Sequence, residues 1–150
     1  MKPMNSLDEI LNFAIGEEQA AAAFYTSLAQ QAPGADTRQA LLDFAREEQG
    51  HEARLKAVKA HGARLAAGPH VPDLQIADYL VDIQPKPDMP YRDLLLVAMK
   101  KELAANRMYT ALAAQAADAG LRETFTQLAQ EEAKHKLKFE TEYDNLMVEG

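Results

Sequence analysis

Residues 14–55 recur in residues 98–139 at a constant offset of 84 positions without a gap, and sixteen of the 42 pairs are identical. Alanine inflates that figure, because it supplies 28 of the 150 residues. It does not explain the pairing of Glu18 with Glu102, Tyr25 with Tyr109, Arg38 with Arg122, Glu47 with Glu131, Glu48 with Glu132 or His51 with His135. Such a chain is two copies of one unit, each carrying the same polar side chains at the same places.

The unit is a helical hairpin. Ser6-Leu7-Asp8-Glu9 is a capping box, in which the Ser hydroxyl accepts the backbone N–H three residues on and Glu9 reaches back. Apolar residues then follow at helical spacing, at Leu7, Leu11, Ala14, Ala21, Tyr25 and Leu28. Pro33-Gly34-Ala35-Asp36 turns the chain. A second helix carries Leu41, Phe44, His51, Leu55 and Val58 on one stripe and fades by Gly68-Pro69. Five of the seven prolines then crowd into residues 69–90, which form a connector. The third helix runs from about Tyr91 to Ala117, with Leu95, Ala98, Ala105, Tyr109 and Leu112 inward. Asp118-Ala119-Gly120 makes the second turn, and the fourth helix carries Phe125, Leu128, His135, Phe139 and Tyr143.

Each helix of roughly 25 residues spans about 37 Å. Two short turns make two antiparallel hairpins, about residues 6–68 and about 91–147. The connector is long enough to travel the length of a bundle. The expected architecture is a single all-α domain over residues 1–150, a four-helix bundle with one long crossover.

Composition narrows the chemistry. With no cysteine there is no disulfide framework, no thiolate zinc or iron–sulfur site and no Cys nucleophile. A net charge of −7 with only 16 Lys and Arg argues against a nucleic-acid groove. No apolar run approaches the roughly 20 residues that span a bilayer. Met1 to Ser6 runs straight into an amphipathic pattern, with no leader visible, so no membrane association and a cytoplasmic location are expected.

Four of the charges lie on the wrong face for solvent. Glu18 sits on the Leu11, Ala14, Tyr25, Leu28 stripe, and Glu48 and His51 sit on the Leu41, Phe44, Leu55 stripe. Glu102, Glu132 and His135 repeat this in the second half. Carboxylates in an apolar core cost many kcal/mol if unpaired, and four together repel one another. A pair of divalent cations is the simplest compensation. The heights agree. Residues equidistant from a hairpin turn lie level, and the midpoints of Glu18 with His51 and of Glu102 with His135 fall inside the two turns. Glu48 and Glu132 lie one turn from the histidines on the same faces. All six side chains can meet at one level of the bundle.

One Glu from each of two helices plus Glu-x-x-His from each of the other two is the ligand pattern of the ferritin-like di-iron carboxylate proteins, and this chain resembles them. Its motifs read Glu48-Gln49-Gly50-His51 and Glu132-Ala133-Lys134-His135. The flanks around Glu18 to Ala29 and Glu102 to Ala113 look like the rubrerythrin-type branch, and the resemblance spans roughly residues 7–145. It implies two iron ions, with manganese and zinc also suited to such ligands. Glu48 and Glu132 would bridge them, Glu18 and Glu102 would be terminal, and His51 and His135 would complete the sites. It further implies a non-haem oxidoreductase, a peroxidase or ferrous oxidase reducing H2O2 or O2 with an external electron donor, and a homodimer. An iron-handling protein without turnover and a structural bundle holding zinc are the competing readings.

The chain departs from the proteins it resembles in several places, and without cysteine it cannot carry the four-Cys electron-transfer domain that rubrerythrins often have. Met99 stands where rubrerythrins carry a further Glu, Gln49 stands where bacterioferritins carry a haem-ligating Met, and little chain remains for a fifth helix. No haem is therefore expected. Glu17 pairs with Lys101 in the repeat and is read as a surface residue. Glu47 and Glu131 lie four residues before the histidines, and either accept imidazole N–H groups or are simply solvated. Tyr25 and Tyr109, two turns along from Glu18 and Glu102, are either core aromatics or hydrogen-bond donors to ligand carboxylates, the latter favoured. His61 and His70 carry no assigned role. Gly50 is costly in a helix, and close approach of a ligand or another helix is one account of it.

Overall fold

The computed structural model describes residues 6–62 and 88–149. They form four helices and no strand: α1, Leu7–Gln31; α2, Ala35–Ala60; α3, Tyr91–Gln115; and α4, Ala119–Glu149. The helices make two compact hairpins, α1 with α2 and α3 with α4. Among the described residues no helix is long and apolar enough to cross a membrane.

In the first hairpin, Ser6 Oγ accepts the Glu9 backbone N–H at 3.1 Å, as the capping box requires. The chain leaves α1 at Ala32, whose N–H still reaches the Ala29 carbonyl, and re-enters helix after Gly34. Residues Ile10, Leu11, Ala14, Tyr25, Leu28, Leu41 and Leu55 are buried. Each large aliphatic side chain so removed from water contributes roughly 1.5–3 kcal/mol. Leu7, Ala21, Phe44 and Val58 are only half-buried. Ile10, Ala22 and Ala45 take inward positions in their neighbourhood.

The second helix ends earlier than the sequence reading placed it. It stops at Ala60, where His61 N donates to Ala57 O and Gly62 N to Lys59 O. Gly62 has φ +69, the left-handed conformation that glycine adopts without steric cost after a helix C-terminus. Residues 63–68 of the expected first hairpin, His70 and residues 69–87 of the expected connector lie outside the described residues.

In the second hairpin, α3 starts against Pro90, whose carbonyl accepts from Asp93 and Leu94 N–H. It ends at Gln115 rather than Ala117. The fourth helix begins at Ala119, inside the expected turn, because Asp118 Oδ1 accepts the Leu121 N–H at 2.8 Å and caps it. Gly120 is thus in the first helical turn. Leu94, Leu95, Ala98, Tyr109, Leu112, Phe125, Leu128 and Phe139 are buried, whereas Ala105 and Tyr143 are half-buried.

Gly50 is exposed, and a Cβ built on it meets no described atom within 4 Å. The close-approach account of this glycine finds no support within the described residues. Its conformational freedom is then a pure cost in mid-helix, so Gly50→Ala should stabilise the protein by about 0.5–1 kcal/mol. Thermal unfolding should show a melting temperature about 1–4 °C higher. A lower one would mean that something not described packs on this face.

Candidate metal centre

Glu18 lies on the buried stripe of α1, and Glu48 and His51 lie one helical turn apart on the buried stripe of α2. The short Ala32–Gly34 turn sets the two helices level at this point. His51 Nδ1 lies 3.4 Å from Glu18 Oε2 and 3.7 Å from Glu48 Oε1. The second hairpin repeats the arrangement with Glu102 on α3 and Glu132 and His135 on α4. Here His135 Nδ1 lies 3.6 Å from Glu102 Oε1. In each triad one donor atom per residue lies within 4.8 Å of the other two. All six side chains are only 1–3% exposed.

This donor set fits a divalent cation. Two carboxylates about 4–5 Å apart repel by roughly 3–4 kcal/mol even at an effective dielectric near 20. Burial adds a desolvation cost to each. A proton on the imidazole supplies a single positive charge against two negative ones, whereas a divalent ion balances both. Carboxylate oxygen with imidazole nitrogen is a donor set for iron, manganese or zinc. Each triad offers it with side chains almost wholly removed from bulk water.

The remaining sequence candidates fall in different environments. Tyr25 and Tyr109 are fully buried. The Tyr109 ring stacks on Phe125 at 6.5 Å between centroids, and Tyr25 packs against Phe24 at 5.7 Å. Glu131 is half-buried and Glu47 exposed. Glu17 is exposed, as its pairing with Lys101 implied, and His61 is exposed at the end of α2. Met99 is half-buried one turn before Glu102.

Several polar ties near the triads escaped the sequence reading. Gln19 Nε2 donates to Glu52 Oε2 at 2.9 Å, linking the residues that follow Glu18 and His51. Lys56 also holds that carboxylate, at 2.6 Å, and the two partners lower the Glu52 pKa. Lys59 Nζ donates to Asn12 Oδ1 at 2.6 Å. Within the second hairpin, Asn106 Nδ2 donates to the Ala129 carbonyl at 2.7 Å. The one available signal was for Asn106, a polar residue four positions after Glu102 on an otherwise apolar stripe.

The sequence profile of the ferritin-like domain matches residues 7–141, nearly the whole chain. The protein belongs to the ferritin-like domain family. Its fold class is the all-α, four-helix class of that family, as the helical periodicity predicted. No curated protein matches the chain. Among solved structures, a hypothetical protein from Pyrococcus furiosus is 26% identical, with 95% of this chain and 90% of that one covered at a TM-score of 0.73. A Thermotoga maritima protein, provisionally named a ferritin-like diiron-carboxylate protein, is 16% identical. That match covers 96% of this chain and 97% of the other at a TM-score of 0.76.

Proposed function

We propose that the two triads hold two iron ions in a rubrerythrin-type, non-haem oxidoreductase. The observation that carries this is the twice-repeated set of two buried carboxylates and one buried imidazole. The provisional name of the Thermotoga maritima structure supports the same reading. Glu18, Glu48 and His51 from one hairpin and Glu102, Glu132 and His135 from the other would hold the ions, with their four negative charges matching two divalent cations. The chemistry such a pair supplies when bound is delivery of two electrons together to H2O2 or O2, without release of a one-electron radical.

The protein's own part is to bind, to neutralise and to keep the pocket dry. His51 and His135 bind as neutral imidazoles, so uptake of metal releases any proton they carry. The buried Tyr25 and Tyr109 hydroxyls act as donors to ligand carboxylates, and Glu131 as an acceptor that orients an imidazole. The chain has no cysteine, so it brings no thiol-ligated redox group, and its reducing equivalents come from an external donor. A cytoplasmic homodimer without haem completes the proposal.

Anaerobic loading with ferrous iron, followed by rapid mixing with H2O2 and separately with O2, tests it. Two irons per chain and oxidation by at least one oxidant are expected. An iron centre that neither oxidant changes would overturn the activity. Elemental analysis of protein from native-level expression separates the competitors: many irons per chain favours iron handling, and tight, redox-silent zinc favours a structural role.

A further inference from the structure

The two triads are chemical copies, yet at one inward position beside them the second hairpin carries a polar side chain where the first carries an apolar one. Asn106 lies one turn beyond Glu102 on α3, and its Nδ2 donates to the carbonyl of Ala129 on α4 at 2.7 Å, in a part-buried setting. Ala129 is itself buried and lies one turn before Glu132. The bond therefore crosses from helix to helix one turn from a metal-ligating carboxylate on each side. Thr110 Oγ1 donates to the Asn106 carbonyl at 2.8 Å, extending the chain of bonds. In the first hairpin the equivalent positions are Ala22 and Ala45, both buried. Thr26 repeats the threonine bond, to Ala22 O at 2.8 Å, but the alanine methyl has nothing to donate across the hairpin.

The consequence is mechanical. A side-chain amide bonded to a backbone carbonyl in a part-buried setting meets less competition from water than the same bond at the surface. It opposes sliding of α3 along α4, the motion that would separate Glu102 from Glu132 and His135. In the first hairpin the ties from Gln19 to Glu52 and from Lys59 to Asn12 are exposed, and water competes for them, while the part-buried bond from Arg38 Nε to the Ala29 carbonyl, 3.4 Å, lies beside the turn, about three helical turns from Glu18 and Glu48. A triad whose helices must be ordered on binding loses affinity to that ordering.

We propose that Asn106 is a positioning residue that holds the Glu102, Glu132 and His135 triad pre-formed, making it the tighter of the two sites and the first to take a divalent cation. This rests on the reading of the triads as metal sites. Titration of the metal-free full-length protein with Co2+, followed by calorimetry and by cobalt absorption, tests both. Two resolved steps are expected, the tighter lost in His135→Ala and the weaker lost in His51→Ala. Asn106→Leu keeps the side-chain volume and removes the donor. It should weaken the tighter step about ten-fold and leave the weaker within about two-fold, with helical circular dichroism unchanged. Gln19→Leu should leave the tighter step within about two-fold.

Two unchanged steps in Asn106→Leu, a single unresolved step in the unaltered protein, or loss of the tighter step in His51→Ala would each overturn the proposal while leaving the metal sites in place. No cobalt uptake at all would overturn the metal reading as well. Should Asn106→Leu fail to fold, Ala22→Asn is the reciprocal variant. It supplies the missing donor opposite Ala45 and should tighten the weaker step several-fold, and an unchanged or weakened step would overturn the idea.

Discussion

Ferrous iron added without oxygen is expected to raise the melting temperature by about 10–20 °C, and a chelator to reverse it. A ligand that binds only the folded state at a free concentration about a hundred times its Kd stabilises by roughly 2.7 kcal/mol per site. Two sites give about 5 kcal/mol, and each kcal/mol is worth about 2–4 °C in a domain of this size. The physical source is relief of the charge repulsion inside each triad, where donor atoms lie within 4.8 Å and the side chains are almost wholly buried. His51→Ala and His135→Ala should each forfeit part of the gain, the larger part with His135→Ala, which removes the tighter site. Differential scanning calorimetry at fixed protein concentration, with and without metal, reads the effect. An unchanged melting temperature at saturating ferrous iron would sink the two-metal reading.

The second large effect has opposite signs with and without metal. Glu48→Gln and Glu132→Gln keep the side-chain shape but remove one negative charge from each crowded, buried set. Metal-free protein carrying either change is expected to be more stable by about 1–3 kcal/mol, since a buried charge without full compensation costs more than a hydrogen-bonding amide. The melting temperature should rise by roughly 2–12 °C in chelator. The same variants should bind metal at least ten-fold more weakly and so lose most of the metal-induced rise. A destabilised metal-free Glu48→Gln protein would show that the carboxylate serves the fold rather than a ligand.

These opposed signs are what a functional site set in a core produces. Leu or Phe at the same inward positions would pack at no electrostatic cost. The chain instead places six polar side chains there, in two copies, and the repeat makes the arrangement readable. Counting residues from each turn puts Glu18 level with His51 and Glu102 level with His135, and the approaches of 3.4 and 3.6 Å agree. The choice of Glu48 over its neighbour Glu47, made from the apolar stripe, also matches burial, with Glu48 buried and Glu47 exposed.

Helix ends were less legible. The early stop of α2 at Ala60 depends on Gly62 adopting a left-handed conformation. His61-Gly62 in the sequence competes with the later Gly68-Pro69 as a stop signal, and nothing local ranks the two. Likewise Asp118 served as a cap rather than as part of a longer turn, because its carboxylate folded back on the Leu121 N–H. Such choices balance terms of about 1 kcal/mol, well below the burial energies that set the helices themselves.

Four helices, their two hairpins and the six inward Glu and His side chains are properties of spacing. Helical period and distance from a turn put a side chain on a face and at a height whatever its neighbours do. The bonds from Asn106 to Ala129, from Gln19 to Glu52 and from Lys59 to Asn12 are of another kind. Each needs two helices brought to within a fraction of an ångström in translation and rotation. That fit is settled by the packing of the whole hairpin and leaves no periodic trace in the chain.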